Sequence, residues 1–346
     1  MTRVRAKYGS RLTVKDYEAL TGLSSLGEAA SYLSGNSNFA AYFDGAAGRR
    51  DISRAIFEGA VRSAFYGTAR KLCSSESDAG DHIYRYIALG LENDYVLDYI
   101  INLSLGTPEK MILKRVPELR TGTKLDLAKL FKIKDPAELG RYLSKTKYAK
   151  LVPALPKNAG EKFDISLIET VLSKIKYKLA FAEIERSYGA ETAKVLEESI
   201  KTRIELTDFL TVYRAKKYYG MSEMSLRTAL VGYRCVMNSA TWERIITAKT
   251  ADQALTEFSA SGYAPRIERF GTHDLELFKE KAAAVKDIRH MHFSTDPIIV
   301  LASYLRLFQD ECDNLIKIAE GITYKLPQDE IMADLILLLH IKASLL

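Results

Sequence analysis

Histidine and aspartate side chains lie close together in the stretch RHMHFSTD, the nearest approach to a metal site in this 346-residue sequence. Imidazole and carboxylate groups are common ligands of transition metals, so His290, His292 and Asp296 suggest metal-assisted chemistry. Side chains two residues apart on a helix point in very different directions, because each residue rotates by about 100°. A polar helix end is therefore the favoured interpretation. A metal-dependent enzyme is an alternative that stoichiometric metal in the purified protein would support.

Two further groups could in principle act as acids, bases or nucleophiles. Carboxylates are paired at Glu197 and Glu198 and again at 310–313, where Cys312 lies among acidic residues. Neighbouring carboxylates on a helix usually diverge into solvent, and negative neighbours disfavour the thiolate that a nucleophilic cysteine needs. We therefore predict no catalytic residue and no metal site. We expect Cys312 to be buried as a small apolar side chain.

Nucleotide binding has a recognisable sequence requirement, a glycine-rich loop that directs backbone N–H groups at phosphates. Neither the P-loop pattern nor the dinucleotide-binding pattern occurs in the sequence. We therefore predict that the chain binds no nucleotide directly and carries no other cofactor.

The charge of the chain is mild and mixed. The net charge of +6 comes from 50 basic and 44 acidic residues, and both signs are interleaved along nearly every segment. No basic face interleaved with stacking aromatics is found, so nucleic acid is not a predicted partner. The most biased stretch, 110–134, has eight basic and two acidic residues. It is predicted to be a solvated connector in which Lys114 and Arg115 are candidate contacts for an acidic partner.

A second basic cluster, in VYRAKKYYG, places Arg214, Lys216 and Lys217 in the last turn of a predicted helix. Cations there meet the negative end of the helix dipole, which contributes only about 0.3–1 kcal/mol and does not require three charges. Two interpretations stay open at this point. The cluster either complements the dipole or docks an acidic partner.

The cysteines and the apolar stretches indicate the compartment. The three cysteines, Cys73, Cys235 and Cys312, are scattered and odd in number, which argues against a disulfide framework and favours a reducing cytosol. The first residues lack the apolar stretch of a signal peptide. The most apolar segments, 297–308 and 331–346, are too short or too interrupted by charge to predict a bilayer span. We expect a cytoplasmic protein.

The elements that position these residues are predicted to be helices almost everywhere. Apolar residues recur at three-to-four-residue spacing, whereas strand-like alternation is scarce. Proline follows a potential capping Asp at Asp135 and Asp296, which predicts helix starts there. The clearest amphipathic stripe consists of Leu196, Ile200, Ile204, Leu206, Phe209, Leu210 and Tyr213. Packing between helices is also our explanation for the tyrosines Tyr177, Tyr213, Tyr218 and Tyr219.

The sequence repeats itself three times. An alignment anchored on Tyr32, Tyr142 and Phe258, which are 110 and 116 residues apart, superposes three similar blocks. A second aromatic follows each anchor, and then a helix that begins at an Asp able to cap it. The second aromatics are Phe39, Tyr148 and Tyr263, and the capping candidates are Asp51, Asp164 and Asp274.

A third block closes each copy. The three closing blocks align on Leu97, Leu210 and Leu315, and each ends near a glycine that can terminate a helix. These glycines are Gly106, Gly220 and Gly321. The sequence therefore predicts an all-α protein with three homologous helical domains, 1–115, 116–232 and 233–346.

At these same blocks the chain resembles the C subunit of prokaryotic V-type (A-type) ATPases, which is similar to the d subunit of eukaryotic vacuolar ATPases. The resemblance spans nearly the whole chain and rests on RYLSKTKYAKLV, IELTDFLTVYRAKKYYG and LFQDECDNLIKIAEGITYKLPQDEIMADL. Copy 1 departs most from the pattern. It has Val96 where copy 3 has Asn314, and SGNSNF in place of SKTKY.

The resemblance implies a funnel of three similar domains in pseudo-threefold arrangement, seated on the cytoplasmic face of the membrane. Such a protein is a non-catalytic part of the central stalk. It receives the shaft formed by the D and F subunits, rests on the rotor ring of c/K/L-type subunits, and transmits torque between ATP turnover and H⁺ or Na⁺ transport. The alternative is a generic helical-repeat scaffold of another assembly, which would associate with neither D and F nor a membrane ring.

Overall fold

The structure, a computed structural model, describes residues 1–36, 38–45, 52–107, 125–157 and 161–337. Every regular element in these ranges is helical and none is a strand, so the predicted all-α class is confirmed. None of the described helices is long and apolar enough to span a membrane. The α-helices are α1 (Thr2–Gly9), α2 (Val14–Thr21), α3 (Leu26–Ser34), α4 (Ala40–Phe43), α5 (Arg54–Cys73), α6 (Ser77–Ser104), α7 (Leu127–Leu130), α8 (Pro136–Leu143), α9 (Ile165–Ser187), α10 (Ala190–Arg214), α11 (Glu223–Ala229), α12 (Ser239–Thr247), α13 (Ala251–Ser259), α14 (Ala264–Phe270), α15 (Leu275–Phe293), α16 (Pro297–Tyr324) and α17 (Gln328–Ala333).

Helix starts follow local capping chemistry, in which a side-chain oxygen accepts an otherwise unpaired backbone N–H. Asp164 caps α9 and Asp274 caps α15, with hydrogen bonds of 2.9 and 3.0 Å, as predicted. Proline opens α8 and α16 after a capping Asp, also as predicted. Asp51 lies outside the described residues, and the cap of α5 is Ser53.

Helix ends match the sequence prediction in two copies of three. Gly106 and Gly220 follow long helices and adopt left-handed φ values of 69° and 55°, a conformation that glycine reaches without steric cost. The prediction for Gly321 is wrong. Gly321 lies inside α16, and Lys325 is the left-handed residue at the end of that helix, with φ 57°.

The chain forms two compact units. Unit 1 comprises Met1–Asp81 and Phe270–Leu346, and unit 2 comprises His82–Arg269. In unit 1, α5 and α15 pack along α16, the most deeply buried long helix. In unit 2, α9 and α10 pack together, and the predicted stripe of α10 is buried from Leu196 to Leu210.

Each aligned copy contributes a pair of short helices that packs onto a long helix of another copy. In unit 2, the copy 3 pair α12 and α13 packs against α10 of copy 2. Phe258 stacks on Phe209 with ring centroids 3.7 Å apart. The hydroxyl of Tyr263, just beyond α13, donates a 2.9 Å hydrogen bond to the buried carboxylate of Glu205.

The copy 2 pair uses the long helix of copy 1 in the same way. The hydroxyl of Tyr148, just beyond α8, donates to Oδ1 of Asn93 on α6 at 2.8 Å. The amide nitrogen of Asn93 donates in turn to the carbonyl of Leu172 on α9. Lys147 forms a 2.9 Å ion pair with Glu92, the neighbour of Asn93 on α6.

Copy 1 packs onto the long helix of copy 3, within unit 1. The ring of Phe39 lies 5.5 Å from that of Phe308 on α16. Oε2 of Glu311 accepts the backbone N–H of Leu12, just before α2, at 3.0 Å. Within unit 2, therefore, copy 2 packs on copy 1 and copy 3 packs on copy 2, and within unit 1 copy 1 packs on copy 3.

An acidic residue is buried at one aligned position of each closing helix, five residues before the aligned leucine. These residues are Glu92, Glu205 and Asp310, and each is at most 3 % exposed. A charged group is rarely buried to this extent unless it has polar partners. A buried acidic side chain at this position is therefore common to the three closing helices.

Candidate partner-binding surface

The basic cluster predicted from VYRAKKYYG lies at the end of α10 in unit 2. After Arg214 the backbone makes a single π-helical turn, Ala215–Tyr219, and then reverses at Gly220. Such π turns are rare and occur frequently at functional sites. Arg214 and Lys217 are exposed, whereas Lys216 is half-buried. The other predicted contacts, Lys114 and Arg115, lie outside the described residues.

Lys216 has a structural role that the sequence did not reveal. Its Nζ donates to the carbonyl oxygens of Ile246 and Ala248, each at 2.6 Å. These carbonyls lie at the C-terminal end of α12, so the cation meets the negative dipole end of that neighbouring helix. Burial lowers the pKa of Lys216. The contact ties the π turn to the copy 3 helix pair.

Lys217 faces solvent beside two tyrosine rings. Its Nζ lies 5.3 Å from the ring centroids of both Tyr213 and Tyr218, within cation–π range. The hydrogen bond to the Tyr213 hydroxyl, at 3.4 Å, is the main reason why the pKa of Lys217 is raised. The described contacts of Lys217 are therefore tyrosines, and its charge is presented at the surface.

Four large apolar side chains are exposed immediately after this lysine. Tyr218 is 65 % exposed, Tyr219 73 %, Met221 39 % and Met224 83 %. The prediction that Tyr218 and Tyr219 pack between helices is therefore wrong. In a regular α-helix, the apolar stripe of α10 would continue past Ala215 and bury these two tyrosines. The π turn adds backbone to the helical turn, so their side chains point in a different direction.

A network of ion pairs borders the exposed residues on the α11 side. Arg227 contacts Glu223 at 2.8 Å and Glu243 at 2.5 Å. Ser222 caps α11, and Leu226 on the same helix is buried. These contacts hold α11 in place while its first turn remains exposed. The surface around Met224 consequently contains both acidic and basic groups.

The residues suggested for metal chemistry have other partners. Asp296 caps α16 by accepting two backbone N–H groups, at 2.8 and 3.3 Å. Burial lowers the pKa of His290, whose Nδ1 lies 3.4 Å from Ser303 Oγ on α16. His292 is exposed beside the ring of Tyr8. Within the described ranges, no group of three or more His, Cys, Asp or Glu residues could hold a metal ion.

Cys312 and Glu197, two of the remaining nucleophile and carboxylate candidates, have structural roles. Cys312 is buried, as predicted, and burial raises the pKa of its thiol well above the usual range. Glu197 pairs with Lys201 at 2.5 Å on α10.

An open cleft of about 560 Å³ runs past Glu197, Lys201 and Arg234. Arg234 pairs with Asp208 at 3.0 Å, so the charges named here neutralise one another.

A comparison with protein families gives one match, to the family described as the ATP synthase (C/AC39) subunit. The match covers residues 1–333 and therefore includes most of both compact units. No curated protein matches the chain. The family match agrees with the resemblance that the sequence blocks indicated.

Proposed function

From the membership of this chain in the ATP synthase (C/AC39) subunit family, the family of the C and d subunits of V-type and A-type ATPases, we propose that it is a central-stalk rotor component. In this role it connects the shaft formed by the D and F subunits to the membrane rotor ring of c/K/L-type subunits. It sits at the cytoplasmic face of the membrane and transmits torque between ATP turnover and H⁺ or Na⁺ transport.

The observation that carries this proposal is the extent of the family match. The match runs through 1–333 and covers all three aligned copies rather than one motif. A helical-repeat scaffold of an unrelated assembly would not require that match. The alternative scaffold function therefore has less support than the rotor function.

The internal packing suits a part that must carry load. Each pair of short helices is joined to a long helix through both an aromatic contact and a buried polar contact, as at Phe258 and Glu205. Buried polar groups that have their partners favour one unique arrangement over its neighbours. We propose that the three domains, 1–115, 116–232 and 233–346, form a funnel whose stiffness transmits torque. The chain itself needs no nucleotide for this task.

A co-purification experiment tests the role. The chain, carrying an affinity tag, is recovered from detergent-solubilised membranes of cells that express the complete ATPase. The rotor role predicts that the D and F subunits and the ring protein are recovered with it in fixed ratio. Recovery without any of these partners would support the scaffold alternative.

A further inference from the structure

We propose that the end of α10 and the start of α11 form a docking surface for an acidic amphipathic helix of a partner protein. The surface, called here the tyrosine–methionine surface, consists of Lys217, Tyr218, Tyr219, Met221 and Met224. This inference rests on the proposed function, because the partner belongs to the same rotor. It goes beyond that function by assigning residues and the chemistry of the occupant.

The exposure of these side chains is concentrated rather than scattered. Single exposed apolar residues are normal on protein surfaces, but four of them lie here within the seven residues 218–224. Leu105 is exposed beside the left-handed end of α6, and Tyr324 and Leu326 are exposed beside that of α16, but among the described residues neither end has four such side chains. Tyrosine and methionine are enriched in protein–protein interfaces. The tyrosine–methionine surface therefore has the composition of the core of a protein–protein interface.

The surface is held rigidly from beneath. Lys216 fixes the π turn to the end of α12, and Ser222 caps α11 by accepting the N–H of Ser225 at 3.2 Å. Gly220 allows the left-handed turn between the two helices. A surface ordered before binding loses less entropy on association, so its exposed rings contribute more of their contact energy to affinity.

The positive charges at this surface favour a partner that carries negative charge. Lys217 presents its ammonium group among tyrosine rings, and the exposed Arg214 lies one turn earlier. Carboxylates beside the apolar stripe of a helix would pair with these cations while the stripe covers the rings and thioethers. Methionine side chains are flexible, so Met221 and Met224 can adapt to an irregular apolar surface on such a helix.

An anionic membrane is the less suitable occupant. Recruitment to acidic lipids typically uses clusters of about four to eight Lys or Arg residues. At the tyrosine–methionine surface the exposed cations are Lys217 and the nearby Arg214, while the neighbouring Arg227 is already paired with Glu223 and Glu243. Mixed charge with exposed aromatics fits a protein partner better.

The test measures the affinity of the full chain for two partners, the purified D and F subunits and the detergent-solubilised ring. Wild-type chain is compared with Tyr218→Ser/Tyr219→Ser and with Lys217→Glu. We expect the double variant to bind one of the two partners about 30-fold more weakly, because central aromatic anchors dominate interface energy. Lys217→Glu should weaken the same partner about tenfold at low salt and less at high salt.

Matched controls separate this result from a general disturbance. Tyr324→Ser removes an equally exposed tyrosine from unit 1, and Lys178→Glu reverses an exposed charge on α9. Both should bind like wild type, and all variants should keep the wild-type melting temperature. The proposal is overturned if the surface variants bind both partners as tightly as wild type, or if the controls weaken binding equally. Failure of the proposed function is distinct, because then the wild-type chain binds neither partner.

Discussion

Tyr263 donates its hydroxyl hydrogen bond to Oε2 of Glu205 across 2.9 Å, and both side chains are fully buried. The pair joins the third aligned copy to the long helix of the second. Burial, followed by the charge of Glu205, raises the pKa of Tyr263, so this hydroxyl remains a donor. Oxygens of Glu205 also accept the backbone N–H groups of Cys235, Val236 and Met237. One carboxylate thus organises the approach to α12 and the end of α13.

Glu205→Ala should therefore be among the most destabilising substitutions in the chain. It leaves three backbone N–H groups without their acceptor, and we expect a loss of about 3 kcal/mol or more in the free energy of unfolding. Tyr263→Phe removes one hydrogen bond and should cost about 1 kcal/mol. Urea unfolding followed by circular dichroism measures both. Similar costs for the two variants would contradict the organising role of Glu205.

The buried carboxyl of Glu311 predicts a pH dependence of stability. Burial raises its pKa to about 8 from the usual 4.5, although Leu12 N–H and Arg11 act in the opposite direction. The folded chain keeps this proton up to about pH 8, whereas the unfolded chain releases it near 4.5. The contribution of this group to stability is therefore complete below about 4.5 and falls as the pH rises to about 8.

Glu311→Gln isolates that effect, because its amide oxygen can still accept the Leu12 N–H. Between about pH 5 and pH 8, wild-type chain should lose about 3 kcal/mol more stability than the variant. Denaturant titrations at a series of pH values measure the difference. Parallel pH profiles for the two proteins would show that Glu311 ionises normally in the folded state.

Adjacent lysines at the end of α10 should behave differently when each is replaced by methionine. Lys216→Met removes two hydrogen bonds to the carbonyl oxygens at the end of α12 and should cost about 1–3 kcal/mol. Lys217→Met changes an exposed side chain and should remain within about 0.5 kcal/mol of wild type. Thermal unfolding distinguishes them. Equal effects would mean that Lys216 does not fix the π turn.

Gly321 is required by packing rather than by helix termination. A Cβ at this position would meet Cγ1 and Cδ1 of Ile331 at 2.5 and 2.6 Å. Helix propensity alone would make Gly321→Ala stabilising by about 1 kcal/mol, whereas overpacking predicts a loss of about 1–3 kcal/mol. The sign of the change in unfolding free energy decides between them.

The double variant Gly321→Ala/Ile331→Ala provides the control for that prediction. Removing the contacted atoms of Ile331 should make the added methyl group neutral or favourable, so the two changes should not be additive. Strict additivity would mean that the loss of stability in Gly321→Ala does not come from contact with Ile331.

Local features of the fold were predictable from the sequence because they depend on neighbouring residues. The caps at Asp164 and Asp274 and the left-handed ends at Gly106 and Gly220 are of this kind. The end of α16 was misplaced, because Gly321 faces Ile331 across a packed contact that spacing does not encode.

Contacts between residues that are distant in the sequence were not predictable from it. The alignment identified Phe39, Tyr148 and Tyr263 as equivalent, but not that each packs on the long helix of another copy. The candidate surface was found only in part. Its cations were recognised, whereas a π turn that reverses the expected burial of Tyr218 and Tyr219 leaves no periodic signature.

The most direct test of the rotor role is a coupling measurement on the complete ATPase reconstituted in vesicles with and without this chain. ATP hydrolysis and ATP-driven ion uptake are followed in the same preparation. A torque-transmitting rotor part predicts that complexes without the chain still hydrolyse ATP but drive no ion uptake, and that added chain restores uptake. Ion uptake that continues at the normal ratio to hydrolysis in its absence would contradict the rotor role.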